Sequence, residues 1–334
     1  MAATALLTAC SNEVVDQPTT EKSPIAFSSF VDKTTKADPS HTTANLNEFN
    51  VYGYIVEPAE SSTTGFTSGN YANLFAGVPV TKGNDGIWTY DETKYWLDGA
   101  TYNFCAIAPT NMTGVTVKIN DDDKTYDLTI ANFKVTDGKT DIIFADPDQF
   151  KYSKEEMGDK TVEFTFRHLM SKVKFSFASG MPTSSGISVG IREVKITNAV
   201  AQATVNADAT TTTWSGHTGT VTLDFGRYGS SGAALPTNGS LGAIGDELLL
   251  IPAEAQDYTV TFVAIARVDG KEIADYSITA TIKNQELKAG YAYNFTATIN
   301  ENNIQDSGLY PIKFSVSSVS DWTTGTGNTV TPNE

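Results

Sequence analysis

The sequence predicts an all-β chain built as two antiparallel β-sandwich domains in tandem, and three observations carry that reading. Apolar and polar residues alternate over many short stretches, which places one face of each stretch in a core and the other in water. Gly, Asn and Asp cluster between these stretches, where turns need them. No window of comparable length carries an apolar stripe with a 3.6-residue period.

The clearest alternation is Tyr276, Ile278, Ala280 and Ile282 against Ser277, Thr279, Thr281 and Lys283, followed by Tyr291, Tyr293, Phe295, Ala297 and Ile299. Shorter versions occur at Val115-Val117-Ile119, Tyr258-Val260-Phe262 and Ile312-Phe314-Val316. In the first half, strands are expected near Ile25–Phe30, Phe49–Val56, Thr101–Ala108, Val115–Asn120, Tyr126–Ile130 and Asp141–Phe144, and at least seven more in the second. One segment breaks phase. Val162, Phe164 and Phe166 are even-numbered, whereas Val173, Phe175 and Phe177 are odd. A one-residue slip exchanges the faces of a strand, so Arg167-His168-Leu169-Met170-Ser171 must hold a bulge, a turn or a change of sheet. Gly216–Gly245, with its many glycines, reads as hairpin loops interrupted by Val221–Phe225.

With 334 residues the chain exceeds what one core usually serves. The loose stretch Asp146–Lys160 suggests a boundary near residue 158, giving sandwiches at 24–158 and 159–334. Before them, residues 1–9 read as the remnant of an export signal. Leu7-Thr8-Ala9-Cys10 matches the bacterial lipobox, in which a Cys after small residues is acylated, so Cys10 is the expected lipidation site and 10–23 a flexible tether. Two or more acyl chains, at ~0.8 kcal/mol per buried CH₂, make a stable anchor in the outer membrane. Cys105 is then left as a lone, buried thiol.

The charge of −16 repels phosphate backbones and anionic headgroups, and the four arginines are scattered, so nucleic acid is an unsuitable partner. No catalytic group stands out, and no metal or cofactor is expected. His41, His168 and His217 lack metal-ligand spacing, and no Gly-x-Ser-x-Gly elbow occurs. Asp121, Asp123 and Thr125 echo a calcium loop, but Tyr126 and Asn132 replace its Gly and Glu, so a solvated hairpin tip fits better. Trp88, Trp96, Trp214 and Trp322 can stack on sugars or anchor cores.

Several pieces carry a family resemblance in their order and spacing. They are the Cys10 lipobox; Ile25-Ala26-Phe27 and Thr34-Thr35-Lys36-Ala37; Tyr95-Trp96, then Tyr102-Asn103-Phe104-Cys105-Ala106 and Pro109; Asp141-Ile142-Ile143-Phe144-Ala145; Phe166-Arg167-His168-Leu169-Met170-Ser171-Lys172-Val173; and Leu287-Lys288-Ala289-Gly290 before a Tyr-rich strand. Together they resemble the fimbrillin-like lipoproteins of Bacteroides-type bacteria, which are pilus subunit precursors. The resemblance implies two transthyretin-like domains and assembly by strand exchange. A protease removes the first strand, here Ile25–Val31 with Ile25 and Phe27 inward, and a neighbour's terminal segment refills the groove, here Tyr310–Trp322 with Ile312, Phe314 and Val316. In well-known members the cut follows an Arg. No Arg precedes Arg167 here, so Lys33 or Lys36 takes that place, or the strand stays, as suits an anchor or accessory subunit. The expected partners are other pilus subunits, in a homo- or heteropolymer, and a host or bacterial surface receptor. The expected function is that of a cell-surface fimbrial subunit in adhesion, not an enzyme. The alternative is a surface glycan-binding lipoprotein without catalysis.

Overall fold

The computed structural model describes residues 22–31, 41–42, 44–58, 71–120, 125–226, 228–229, 232–237, 239–304 and 312–321, and all of its long elements are strands. Along the chain these begin with β1 (Ala26–Val31), β2 (Glu48–Val56), β3 (Ala72–Lys82), β4 (Trp88–Thr89), β5 (Thr101–Ala108), β6 (Val115–Ile119) and β7 (Tyr126–Lys134). Then come β8 (Ile143–Ala145), β9 (Phe150–Lys151), the single-turn helix α1 (Lys154–Met157), β10 (Thr161–His168) and β11 (Ser171–Ser179). The rest comprises β12 (Ile187–Ala207), β13 (Thr212–Asp224), β14 (Ala233–Ala234), β15 (Gly242–Leu250), β16 (Ala253–Val268), β17 (Lys271–Leu287), β18 (Tyr291–Ile299) and β19 (Ser315–Asp321). The all-β class is as the sequence predicts.

The strands form three sheets. The first runs β1-β10-β8-β5-β2-β3-β4, with β9 on β5; the second runs β15-β11-β18-β19. The third runs β17-β16-β12-β7-β6, with β13 and β14 also paired to β12. Pairing does not follow one cut along the chain. Strands β6 and β7, ahead of residue 158, join β12, whereas β10, beyond it, joins β1. Two local expectations are corrected. Gly216–Thr220 lies inside β13 and not in a loop, because Gly216 and Gly219 take left-handed φ angles that a strand bulge accommodates. Within Asp146–Lys160 the chain forms β9 and α1, the latter capped by the Ser153 hydroxyl accepting from the Glu156 N–H.

The two apolar cores share a wall. On β5, Tyr102, Phe104, Ala106 and Ala108 face one core while Cys105 and Ile107 face the other. On β8, Ile143 and Ala145 face the first core and Phe144 the second. A strand buried on both faces reads as a continuous apolar run, and that is why Phe104-Cys105-Ala106-Ile107-Ala108 lacks alternation. Cys105 is fully buried, and burial pushes its thiol well above the usual range, so it is inert. Behind it Tyr126 donates its hydroxyl to the Asn103 carbonyl at 2.8 Å.

The phase break resolves as a change of sheet. Phe166 ends the inward set of β10 in the first sheet, and Val173 begins that of β11 in the second. The residues between them reach in several directions. Arg167 donates to the carbonyls of Asp208, Ala209 and Thr211 at the turn from β12 to β13, and its guanidinium lies over the Phe144 ring. His168 Nδ1 lies 2.8 Å from Asp141 Oδ2, with both side chains fully buried. The Leu169 N–H donates to Ile142, the Gly290 N–H donates to Met170, and Ser171 Oγ donates to Lys288.

At the turn, burial tends to raise the Asp208 carboxyl, but hydrogen bonds from the Thr211 and Thr210 side chains and N–H groups prevail and hold it at about 2, below its usual 3.8. A depressed carboxyl stabilises the fold above its unfolded pKa and stops doing so as pH falls through its folded one. Acid titration from pH 5 to 2 should therefore lower the thermal midpoint of the native protein by more than that of Asp208→Asn, measured by circular dichroism at each pH. At the buried pair, Asp141→Ala removes one partner and strands the other, and should destabilise by about 3–5 kcal/mol in urea unfolding. A loss below about 1 kcal/mol would contradict this account of the buried pair.

Candidate functional site: an edge strand filling a groove

Strand β1 has the local character of an insert. Among the described residues its one strand partner is β10, and the pairing is parallel, from Ala26 beside Thr161 to Val31 beside Phe166. Parallel neighbours this far apart in sequence owe nothing to a hairpin, so side-chain burial must hold β1 in place. On its other side the contact is brief. The Ile25 N–H donates to Lys94 at 2.9 Å, the Trp96 N–H donates to Ser23 at 3.0 Å, and Pro24 bridges to Tyr95. Tyr90 Oη donates to the Ile25 carbonyl at 2.8 Å.

Alternation does the rest. Ile25, Phe27 and Val31 are buried, while Ala26 and Phe30 are exposed. Phe27 is the keystone of an aromatic cluster: it stacks on Phe164 with 5.7 Å between centroids, meets Phe75 and Phe104 edge-on at 5.5 and 6.0 Å, and tilts against Tyr90 at 5.4 Å. Gly53 lies under this cluster. A Cβ there would stand 2.7 Å from the Phe104 ring, so the rings close because position 53 has no side chain. Removing β1 would open a groove floored by these rings and walled by the unpaired edge of β10.

The carboxy-terminal strand lies elsewhere. β19 pairs antiparallel with β18 at the edge of the second sheet, from Ser315 beside Thr296 to Asp321 beside Tyr291. Just before it Ile312 is buried, and half-buried Phe314 meets Phe175, Phe177 and Phe262 at 5.6, 5.8 and 6.2 Å. Val316 is half-buried on the same core. The two segments named from the sequence thus sit in different sheets and do not pair in this chain. Cys10, Lys33, Lys36 and Trp322 lie outside the described residues. Trp96 is a core residue stacked on Tyr152 at 4.9 Å, and Trp88 packs on Phe49 at 4.7 Å. Sequence reasoning missed β3 and the Lys94–Trp96 stretch that flanks β1. The single available signal was the pair Tyr95-Trp96.

No described helix is long and apolar enough to cross a membrane, and no group of three or more His, Cys, Asp or Glu side chains among the described residues is arranged to hold a metal ion. The fold defines a class of proteins: all-β chains with two cores sharing a wall, closed at one edge by a sequence-distant strand. The fimbrillin-like family model matches residues 35–322, and the chain belongs to that family. Among solved structures it is similar to a fimbrial protein from Bacteroides vulgatus, with 16% identity over 90% of this chain and 99% of that one, at a TM-score of 0.58. It is also similar to a protein assigned to cell adhesion from Bacteroides ovatus, with 12% identity over 91% and 99% of the chains, at a TM-score of 0.53. At these identities the likeness is one of fold. No curated protein matches the chain.

If Phe27 holds β1 in its groove, Phe27→Ala should cost about 3–5 kcal/mol of stability in urea unfolding. The outward Phe30→Ser should cost under about 0.5 kcal/mol.

Proposed function

We propose that this chain is a fimbrial subunit of the bacterial cell surface, acting in adhesion as a structural protein and not as an enzyme, and that it joins its neighbours by strand exchange. The observation behind this reading is β1 itself: a parallel edge strand whose inward side chains fill an aromatic groove. A cut after Lys33 or Lys36 would sever the segment carrying Ile25, Phe27 and Val31 from the body of the chain. Once that segment is displaced, the groove would present unpaired N–H and C=O groups along β10 and an apolar floor, and β-addition satisfies both at once.

The carboxy-terminal segment suits the vacancy. Ile312-Lys313-Phe314 repeats the Ile-x-Phe spacing of Ile25-Ala26-Phe27, and Val316 continues the alternation. As a donor it would have to leave β18 of its own chain and enter the groove of the next subunit. A lipid on Cys10 would hold the precursor at the outer membrane until the cut and would depart with the severed strand. If no cut occurs, the lipid is a lasting tether, which suits an anchor or accessory subunit. A host or bacterial surface receptor completes the proposed set of partners.

Limited trypsin treatment followed by size-exclusion chromatography tests the reading. Cleavage after Lys33 or Lys36, located by mass spectrometry, should yield oligomers, and the double variant Lys33→Gln, Lys36→Gln should stay intact at this site and monomeric. A cleaved product that remains monomeric would argue against strand exchange.

A further inference from the structure

One cavity is lined by residues of neither β1 nor β19. It has a volume of about 420 Å³ and opens where the inner face of β13 passes the turns before β16 and after β17. That volume suits one or two sugar rings and falls within the usual range of small-ligand pockets, ~300–1,000 Å³. Trp214, His217, Glu254, Glu286 and Lys288 contribute to its lining.

The backbone is built to bring the first two together. Trp214 and His217 are three residues apart, and in a regular strand they would point to opposite faces. Here Thr204 pairs with Ser215 and Gln202 with Thr218, so two steps of β12 face three of β13. The extra residue falls at Gly216, whose φ of +64° is left-handed. This bulge turns His217 to the face that Trp214 occupies. Bulges of this kind re-aim side chains next to functional sites. The stretch around them, Thr212 to Thr220, is otherwise Thr, Ser and Gly and mostly exposed. Trp214 packs its half-buried ring on the core, but His217 is exposed, so core packing does not account for its place on the same face. Both side chains are also held fast. The Trp214 indole N–H donates to the Leu169 carbonyl at 2.8 Å and the ring meets Phe133 edge-on, while His217 Nε2 lies 2.8 Å from the Pro252 carbonyl.

We infer that this cleft binds a neutral saccharide, with the ring of Trp214 as the platform for a pyranose face and Glu254 and Glu286 as acceptors for its hydroxyls. A pyranose ring offers C–H groups on its faces and hydroxyls at its rim, so it needs an immobile aromatic surface edged by polar side chains. The lining excludes other classes. An apolar ligand would gain nothing from the carboxylates, which stand exposed to water. An acidic sugar or phosphate would meet Glu254 and Glu286 against Lys288 alone, since Lys288 pairs with Glu286 at 3.4 Å and the Arg167 guanidinium is taken up by three carbonyls. The inference does not depend on strand exchange.

The test is saturation-transfer difference NMR on the full chain with three neutral probes (lactose, methyl α-mannoside and N-acetylglucosamine) and sialic acid as the acidic comparison. At least one neutral probe should show saturation of its ring protons and exceed sialic acid. Trp214→Ala and Glu254→Gln should each weaken its binding at least tenfold, and Trp214→Phe should weaken it less. Glu254 is exposed, so Glu254→Gln keeps the test valid even where Trp214→Ala unsettles the hairpin. The inference is overturned if no neutral probe binds, if sialic acid binds more tightly than all three, or if Glu254→Gln binds as the native protein does.

Discussion

Between Phe166 and Val173 the chain leaves one sheet and enters another, and the interactions made along the way hold the molecule's parts in register. Arg167 reaches the turn between β12 and β13, His168 reaches Asp141, and Ser171 reaches the turn before β18. Asp141 also accepts from the His41 N–H at 2.8 Å, so the same carboxylate fixes the chain where it returns after β1. Burial lowers the pKa of the His41 imidazole and favours its neutral form at this position. One buried carboxylate thus joins three stretches of chain that no hairpin connects. Such a constraint is expensive to break, because a carboxylate without its partners has no water to turn to.

The shared wall extends this coupling. Because β5 and β8 present alternate residues to both cores, neither core closes without the other's wall in place. Strands β6 and β7, which follow β5 in sequence, pack with the third sheet, and β10 returns to the first. The chain therefore crosses between cores more than once. Of the rings that floor the groove under β1, Phe104 stands on β5, whose opposite face packs into the other core through Cys105 and Ile107.

How much of this was legible depended on whether one face of a strand met water. Strand β18 was readable to within a residue, and the middle of β17, Tyr276–Lys283, by its clean alternation, although β17 runs from Lys271 to Leu287. The phase break in Arg167–Ser171 was readable because β10 and β11 each alternate. Strand β3 was not: Ala72–Lys82 includes Gly77 and Pro79 and buries few of its side chains, so no period-two pattern forms. The glycines of β13 misled for the opposite reason. Gly216 and Gly219 looked like turn residues but relieve left-handed positions inside a long strand, and the cleft that Gly216 helps to build was hidden with them. Sheet membership was illegible throughout, since a local pattern fixes which face is inward but not against which sheet.

The burial of β1 also bears on how strand exchange would proceed. Ile25, Phe27 and Val31 are nearly inaccessible, and each contributes about 1.5–3 kcal/mol by leaving water. Their sum is comparable to the net stability of a typical domain, about 5–15 kcal/mol. Severing the chain after Lys33 or Lys36 would therefore not by itself empty the groove. The cut strand would be held by the same side chains and would lose only its covalent tie and the high local concentration that tie supplies. Exchange must then be a displacement, in which an incoming segment takes over pairing with β10 residue by residue as β1 leaves. Such a segment has to offer comparable burial at the same spacing, and Ile312-Lys313-Phe314 does so at the first two positions. It would also have to give up its own place against Phe175, Phe177 and Phe262, so such an exchange would be close to balanced in burial and would be favoured by the lost tie that had kept β1 at high local concentration.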